Sequence, residues 1–143
     1  MKVFFDTSVL VSAVVDQLPR HATAHAALVQ FTSADHIACC TTHVLAETYA
    51  TLTALPLPRR ITADAALRLI EANFASRLTV LPLNTSDYTH SLQRVAQLGL
   101  TSGIIYDALH LHAAETSGCE RLYTYNTAHF NRLQPRGLMI AQP

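Results

Sequence analysis

Residues 103–126 read GIIYDALHLHAAETSGCERLYTYN, and this stretch sets the architecture. Ile104 to Ser117 predicts a helix stopped by Gly118, and Leu122 to Tyr125 predicts a β-strand. The turn between them is so short that the chain must reverse, and the helix runs antiparallel to the strand. A helix of this length rises about 21 Å and a five-residue strand spans about 17 Å, so the helix N-terminus lies level with the strand's carboxyl end. Asp107 therefore stands at the carboxyl edge of a sheet. Its sequence neighbours are Ile104, Ile105, Tyr106, Ala108, Leu109 and Leu111. An unpaired charge buried among such residues costs several kcal/mol or shifts its pKa until it is neutral.

The same strand-then-helix pattern recurs along the chain. Val3–Phe5, Ile37–Cys40, Thr79–Leu83 and Leu138–Ile140 are further short β-prone runs. Between them, Ala66, Leu69, Ile70 and Phe74 repeat at helical spacing, as do Tyr88, Leu92 and Val95, with Asn84 as an N-cap that puts Asp87 in the first turn. Pro56 and Pro58 divide a long helical stretch into Thr42–Leu55 and Thr62–Ser76. Strands alternating with helices predict an α/β fold, a parallel β-sheet of about five strands flanked by helices on both faces. No repeat, low-complexity tract or linker divides residues 1–143, which read as a single domain.

Composition narrows the class. The chain has 143 residues, half of them apolar and only 14% charged, which suits a buried core and excludes a disordered chain. Formal net charge is zero, with nine Arg and a single Lys, Lys2. A protein that simply coats nucleic acid carries a basic excess, so a nucleic-acid role here requires a local patch or metal ions. Cys39, Cys40 and Cys119 fit neither a disulfide framework nor a zinc clamp, which points to a reducing, cytoplasmic location. The apolar run Val9–Val15, bounded by Asp6 and Asp16, is too short to span a bilayer and lacks a signal-peptide layout.

Asp6 ends the first strand and, in a parallel sheet, reaches the same edge as Asp107. Glu47 lies in the second turn of the helix that follows the Ile37 strand, about 7 Å of axial rise from its start. Asn126, just after the Leu122 strand, arrives there too. Each acid taken alone has a simpler explanation: Asp6 as a helix cap, Asp107 as a complement to a helix dipole, Glu47 on a solvated face. Their convergence does not, because three like charges at one edge repel unless a cation or protons compensate. Three carboxylates with an amide oxygen form a hard donor set suited to Mg²⁺, with Mn²⁺ as substitute, and not to zinc. Such ions hydrolyse phosphate esters by activating water and neutralising charge at phosphorus.

No phosphate-binding glycine loop, dinucleotide fingerprint or nucleophile elbow competes with this reading. His21 and His25 stand at i, i+4 without a supporting metal motif and read as a solvated helix face. His110, one turn after Asp107, borders the crevice in this reading. His112 faces elsewhere, and His129 packs a short turn with Phe130.

These residues, in this order, resemble the PIN-domain ribonucleases, and in particular the VapC-type toxins of type II toxin–antitoxin modules. FDTSVLVSA (residues 5–13) is similar to the family's first motif, TTHVLAETYATL (41–52) to its second, and residues 103–130 to its third and fourth. The resemblance implies that Asp6, Glu47 and Asp107 hold the metal, with Thr7 and Thr124 as polar support and Asn126 as a fourth site residue. It also implies a Rossmann-like sandwich, Mg²⁺-dependent endonucleolytic cleavage of RNA, a homodimer, and a cognate protein antitoxin. Many family members carry Asp where this chain has Asn126, so a second metal would be bound more weakly here.

Two other readings remain open at this point: a non-catalytic PIN-like RNA-binding module, and a receiver-like phosphotransfer domain. The receiver reading lacks a second acid beside Asp6, and its lysine would have to be Lys2, at the other end of the first strand.

Overall fold

Val3, Phe4 and Phe5 are apolar on both faces of their strand, and all three are fully buried. A strand with no polar face belongs in the middle of a parallel sheet covered on both sides. The computed structural model, which describes residues 1–143, places it there as β1 (Lys2–Phe5). The other strands are β2 (Ile37–Thr41), β3 (Thr79–Leu81), β4 (Arg121–Tyr123) and β5 (Met139–Ala141), in the order β3-β2-β1-β4-β5. Every pairing is parallel, with Phe4 opposite Cys39 on one side and Leu122 on the other.

Successive side chains on a strand point to opposite faces, and the two phenylalanines show what covers each. Phe4 stacks on His110 of α6 (Ile104–Thr116), with ring centroids 6.0 Å apart. Phe5 packs on Phe31 of α2 (His21–Phe31), at 6.3 Å. The remaining helices are α1 (Thr7–Val14), α3 (Thr42–Ala54), α4 (Ala63–Ile70), α5 (Thr85–Gln97) and α7 (Thr127–Arg132). A parallel five-stranded sheet with helices on both faces is the expected architecture.

The boundaries differ from expectation where local chemistry intervenes. β3 stops at Leu81 because Pro82 has no N–H to continue the ladder. The expected helix Thr62–Ser76 splits into α4, capped by the Thr62 hydroxyl, and a π-helical turn over Glu71–Ala75 that carries the fully buried Phe74. The region after Asn126, expected as a short turn, is the six-residue helix α7. His21 and His25 are not simply solvated: their Nδ1 atoms lie 2.9 Å from the Ser12 carbonyl and 3.2 Å from that of Ala13, where they cap the end of α1. All three cysteines are free and buried, and no helix is long and apolar enough to cross a membrane.

The strand order places a switch point beside β1, since the chain builds outward through β2 and β3 and then returns to β1's other edge as β4. Open α/β sheets bind ligands outside the carboxyl ends of the strands at such a point.

At the start of α5, Asn84 accepts from the Asp87 N–H at 3.0 Å while the Asp87 carboxylate accepts from the Asn84 N–H at 2.8 Å, a reciprocal capping box. Replacing Asn84 by Ala removes one half of it. Urea denaturation is expected to show a loss of about 1 kcal/mol with an unchanged m-value.

Candidate metal centre

Asp6 precedes α1 in extended conformation, yet its carboxylate makes no capping bond. Oδ2 instead accepts from the hydroxyls of Ser8 and Thr124, each at 2.8 Å, and Oδ1 is left without a protein donor. Those hydroxyls have their own acceptor duties: Ser8 Oγ takes the Tyr125 N–H at 3.0 Å, and Thr124 Oγ1 takes the Asn126 N–H at 2.9 Å. Two of these four bonds, from Thr124 to Asp6 and from the Tyr125 N–H to Ser8, tie the end of β1 to the loop after β4, and the other two brace each side. The cap explanation for Asp6 fails on this geometry.

Glu47 projects from the second turn of α3, whose start is fixed by the Thr41 side chain accepting from the Val44 N–H at 3.1 Å. Its Oε1 lies 2.5 Å from His110 Nε2 and 3.5 Å from His43 Nε2. His43 in turn stacks on Tyr106, with centroids 5.1 Å apart.

Asp107 sits in the first turn of α6 and is mostly buried, with His129 Nδ1 at 3.4 Å from Oδ2. Burial, and then the charge of Asp6, pushes its carboxyl up to about 6; Glu47 adds to the rise, and His110 and His129 oppose it. The convergence inferred from topology is therefore visible as electrostatics.

Asp6, Glu47, Asp107 and Asn126 line one cleft of about 300 Å³, together with Thr7 and Ser8. The carboxylates share the cleft without closing into a cage of three His, Cys, Asp or Glu ligands. An open arrangement suits Mg²⁺, which keeps several of its waters and takes few protein ligands. The residues fit such an ion in three further respects. Every donor around the cleft is an oxygen. Thr7 lines it with a buried Oγ1 that has no hydrogen-bond partner. And no Lys or Arg lies in the lining to compensate the carboxylates.

Several side chains stand elsewhere than the sequence suggested. His110 does not border the cleft: it is fully buried behind Glu47, because the α6 face that carries it packs on β1. His129 faces Asp107 instead of merely packing a turn. His112 does point away, to Asp87 at 3.0 Å. Lys2 Nζ donates to the Ser117 carbonyl at 2.6 Å, at the opposite edge of the sheet, which removes the lysine a receiver domain needs. Ser8, Thr41 and His43 were not singled out by sequence. Thr41 carried a signal, a threonine directly before a helix; the other two are legible only from their partners.

A family model described as "PIN domain" matches residues 3–134. Ribonuclease VapC27 of Mycobacterium tuberculosis is 43% identical over 105 residues, 73% of this chain and 70% of that protein. Among solved structures, M. tuberculosis VapC20, a toxin that cleaves the sarcin–ricin loop, superposes with a TM-score of 0.74 at 17% identity, over 95% of this chain and 98% of its own. VapBC2 of Rickettsia felis, bound to a promoter DNA fragment, gives 0.69 at 18% identity, over 100% of this chain and 99% of its own. At these identities the solved structures speak to the fold alone.

Because Asp107 titrates higher in the folded protein than in the unfolded chain, the folded state binds the extra proton between pH about 4 and 6, and stability falls as pH rises through that window. The penalty is complete above pH about 6 and absent below about 4. Asp107→Asn is therefore expected to melt at an equal or higher temperature than the wild type at neutral pH without metal, with the difference gone in acid. Added Mg²⁺ should raise the melting temperature of the wild type more than that of the variant. Scanning calorimetry across pH, with and without the ion, measures both.

Proposed function

Because the chain belongs to the PIN-domain family, we propose that it is a divalent-metal-dependent endoribonuclease, the toxin of a toxin–antitoxin pair, working through Asp6, Glu47, Asp107 and Asn126. The observation that carries this reading is the single cleft at the carboxyl end of a parallel sheet that gathers all four residues with no cationic side chain among them. The likeness to a VapC ribonuclease supports RNA as the substrate and a phosphodiester as the bond cut. The likeness in fold to toxins solved as VapBC complexes supports a cognate protein antitoxin as partner, and a homodimer is the working form proposed with it.

Asp6, Asp107 and Glu47 would hold Mg²⁺, or Mn²⁺ in its place. When bound, the ion supplies Lewis acidity, lowering the pKa of an attacking water and offsetting charge that builds on the phosphate. The chain's own contribution is orientation. Ser8 and Thr124 hold Asp6 Oδ2, which leaves Oδ1 free to face the cleft. His110 holds Glu47 from behind. Asn126, exposed at the mouth with no side-chain cap bond, offers a neutral amide where an aspartate would offer charge. Arg20 lies over the ring of Tyr125, the residue before Asn126, at 4.4 Å, a cation of the type that suits a polyanion.

A binding module without activity would need none of this carboxylate convergence, and cleavage separates the two readings. The purified protein is expected to cut RNA with Mg²⁺ or Mn²⁺, poorly or not at all with Ca²⁺, whose coordination is larger and looser. Asp6→Asn and Glu47→Gln should each reduce the rate by at least about 100-fold. Equal cleavage in EDTA, or by these variants prepared in the same way, would refute the proposal.

Residue 126 is tested separately. Asn126→Asp adds a formal charge at the mouth of the cleft and is expected to tighten Mn²⁺ binding, by titration calorimetry, with cleavage rising only if the amide is not already aligned with substrate. Unchanged or weaker binding would place the side chain outside the metal's coordination.

A further inference from the structure

Glu47 is the one acid of the cleft that reaches it on a long, flexible side chain, from the second turn of α3. A side chain with three rotatable bonds does not hold one oxygen in place unaided. The group that holds it is His110, which lies outside the cleft and is fully buried.

Both ring nitrogens of His110 are used. Nε2 meets Glu47 Oε1 at 2.5 Å, and Nδ1 meets Thr41 Oγ1 at 3.1 Å. Thr41 is also fully buried, and its Oγ1 already accepts from the Val44 N–H at 3.1 Å. The hydroxyl has one proton to give, and His110 Nδ1 is the acceptor available to it. Nδ1 therefore accepts, the ring proton sits on Nε2, and Nε2–H donates to Glu47. A continuous polarity runs from the Val44 N–H through the Thr41 hydroxyl and the imidazole to the carboxylate, so the start of α3 sets the tautomer that holds a residue on α3's second turn. The ring cannot swing out of this line. Phe4 stacks on it at 6.0 Å and 29° between planes, and His43 lies at 5.8 Å and 35°.

We infer that His110 and Thr41 form a buried relay that positions Glu47 for the metal and the reacting phosphate, His110 and Thr41 being positioning residues that touch neither. The inference rests on the reading of Glu47 as a metal-site residue. His43 also approaches Glu47 Oε1, but at 3.5 Å and from the partly exposed side, where water competes. The arrangement corresponds to the outer-shell hydrogen bonds that orient metal-binding carboxylates, whose loss typically costs about 10- to 100-fold in metal affinity or activity.

The test titrates Mn²⁺ into the metal-free protein by calorimetry and follows RNA cleavage in parallel. His110→Leu and Thr41→Val remove the relay; His110→Gln keeps an N–H where Nε2 stood, and Thr41→Ser keeps the hydroxyl. The first pair is expected to bind Mn²⁺ at least about tenfold more weakly and to lose kcat with little change in KM for RNA. The second pair should recover the affinity to within about threefold of wild type, which a merely structural role in the core would not produce. Glu47→Gln separates the two levels of the argument. If that variant binds Mn²⁺ as the wild type does, the metal-site reading of Glu47 fails; if it binds weakly while a folded His110→Leu binds normally, the relay alone is overturned. Should both relay-breaking variants fail to fold, ¹⁵N spectra of the metal-free wild type decide the matter: His110 is expected as the Nε2–H tautomer, and the Nδ1–H tautomer would overturn the inference.

Discussion

A carboxylate at the end of the central strand, almost wholly removed from water, is the constraint around which this protein is arranged. Asp6 is only 3% exposed, and a charge so placed is stable only if nearby donors replace its hydration. Two hydroxyls do so, one from the first turn of α1 and one from the residue that follows β4. The need to satisfy Asp6 therefore fixes the loop after β4 against the loop after β1, and with it the position of Asn126.

The three acids are handled in three different ways. Asp6 has short hydroxyl donors, and Glu47 has an imidazole N–H. Asp107 has no buried donor: its contact with His129 is longer and lies on the exposed side. It is also the acid whose carboxyl is pushed up, to about 6, by burial and by its neighbours' charge. Asp107 thus bears burial and its neighbours' charge without a close donor to offset them. A divalent cation would offset that charge, which links metal binding to the stability of the fold.

This division also separates the part of the site that is rigid before any ion arrives from the part that is not. The Asp6 cluster and the line from Val44 through Thr41 and His110 are closed hydrogen-bond systems in which each hydroxyl both gives and accepts. Asp107, Thr7 Oγ1 and the Asn126 side chain keep unused capacity on the cleft. Preorganised support behind, with open positions in front, is what a metal-dependent hydrolase requires.

The types of most elements, α7 excepted, and the carboxyl-edge positions of Asp6 and Asp107 were readable from the chain, because they follow from local periodicity and from turns too short to allow another path. Asn84 as an N-cap, with Asp87 in the first turn, was legible for the same reason; that the two close a reciprocal box is seen only in the structure. Sequence could not supply the order β3-β2-β1-β4-β5, since nothing local says on which side of β1 a returning strand will pair. That order brings Thr124 to Asp6 across 118 residues, His110 to Glu47 across 63, and Thr41 to His110 across 69. One turn after Asp107, His110 reads as a residue of the crevice, yet packing on β1 buries it behind Glu47, and Ser8 carries no signal of its own. Which donor meets which carboxylate depends on packing between distant elements, and that information exists only once the sheet has closed.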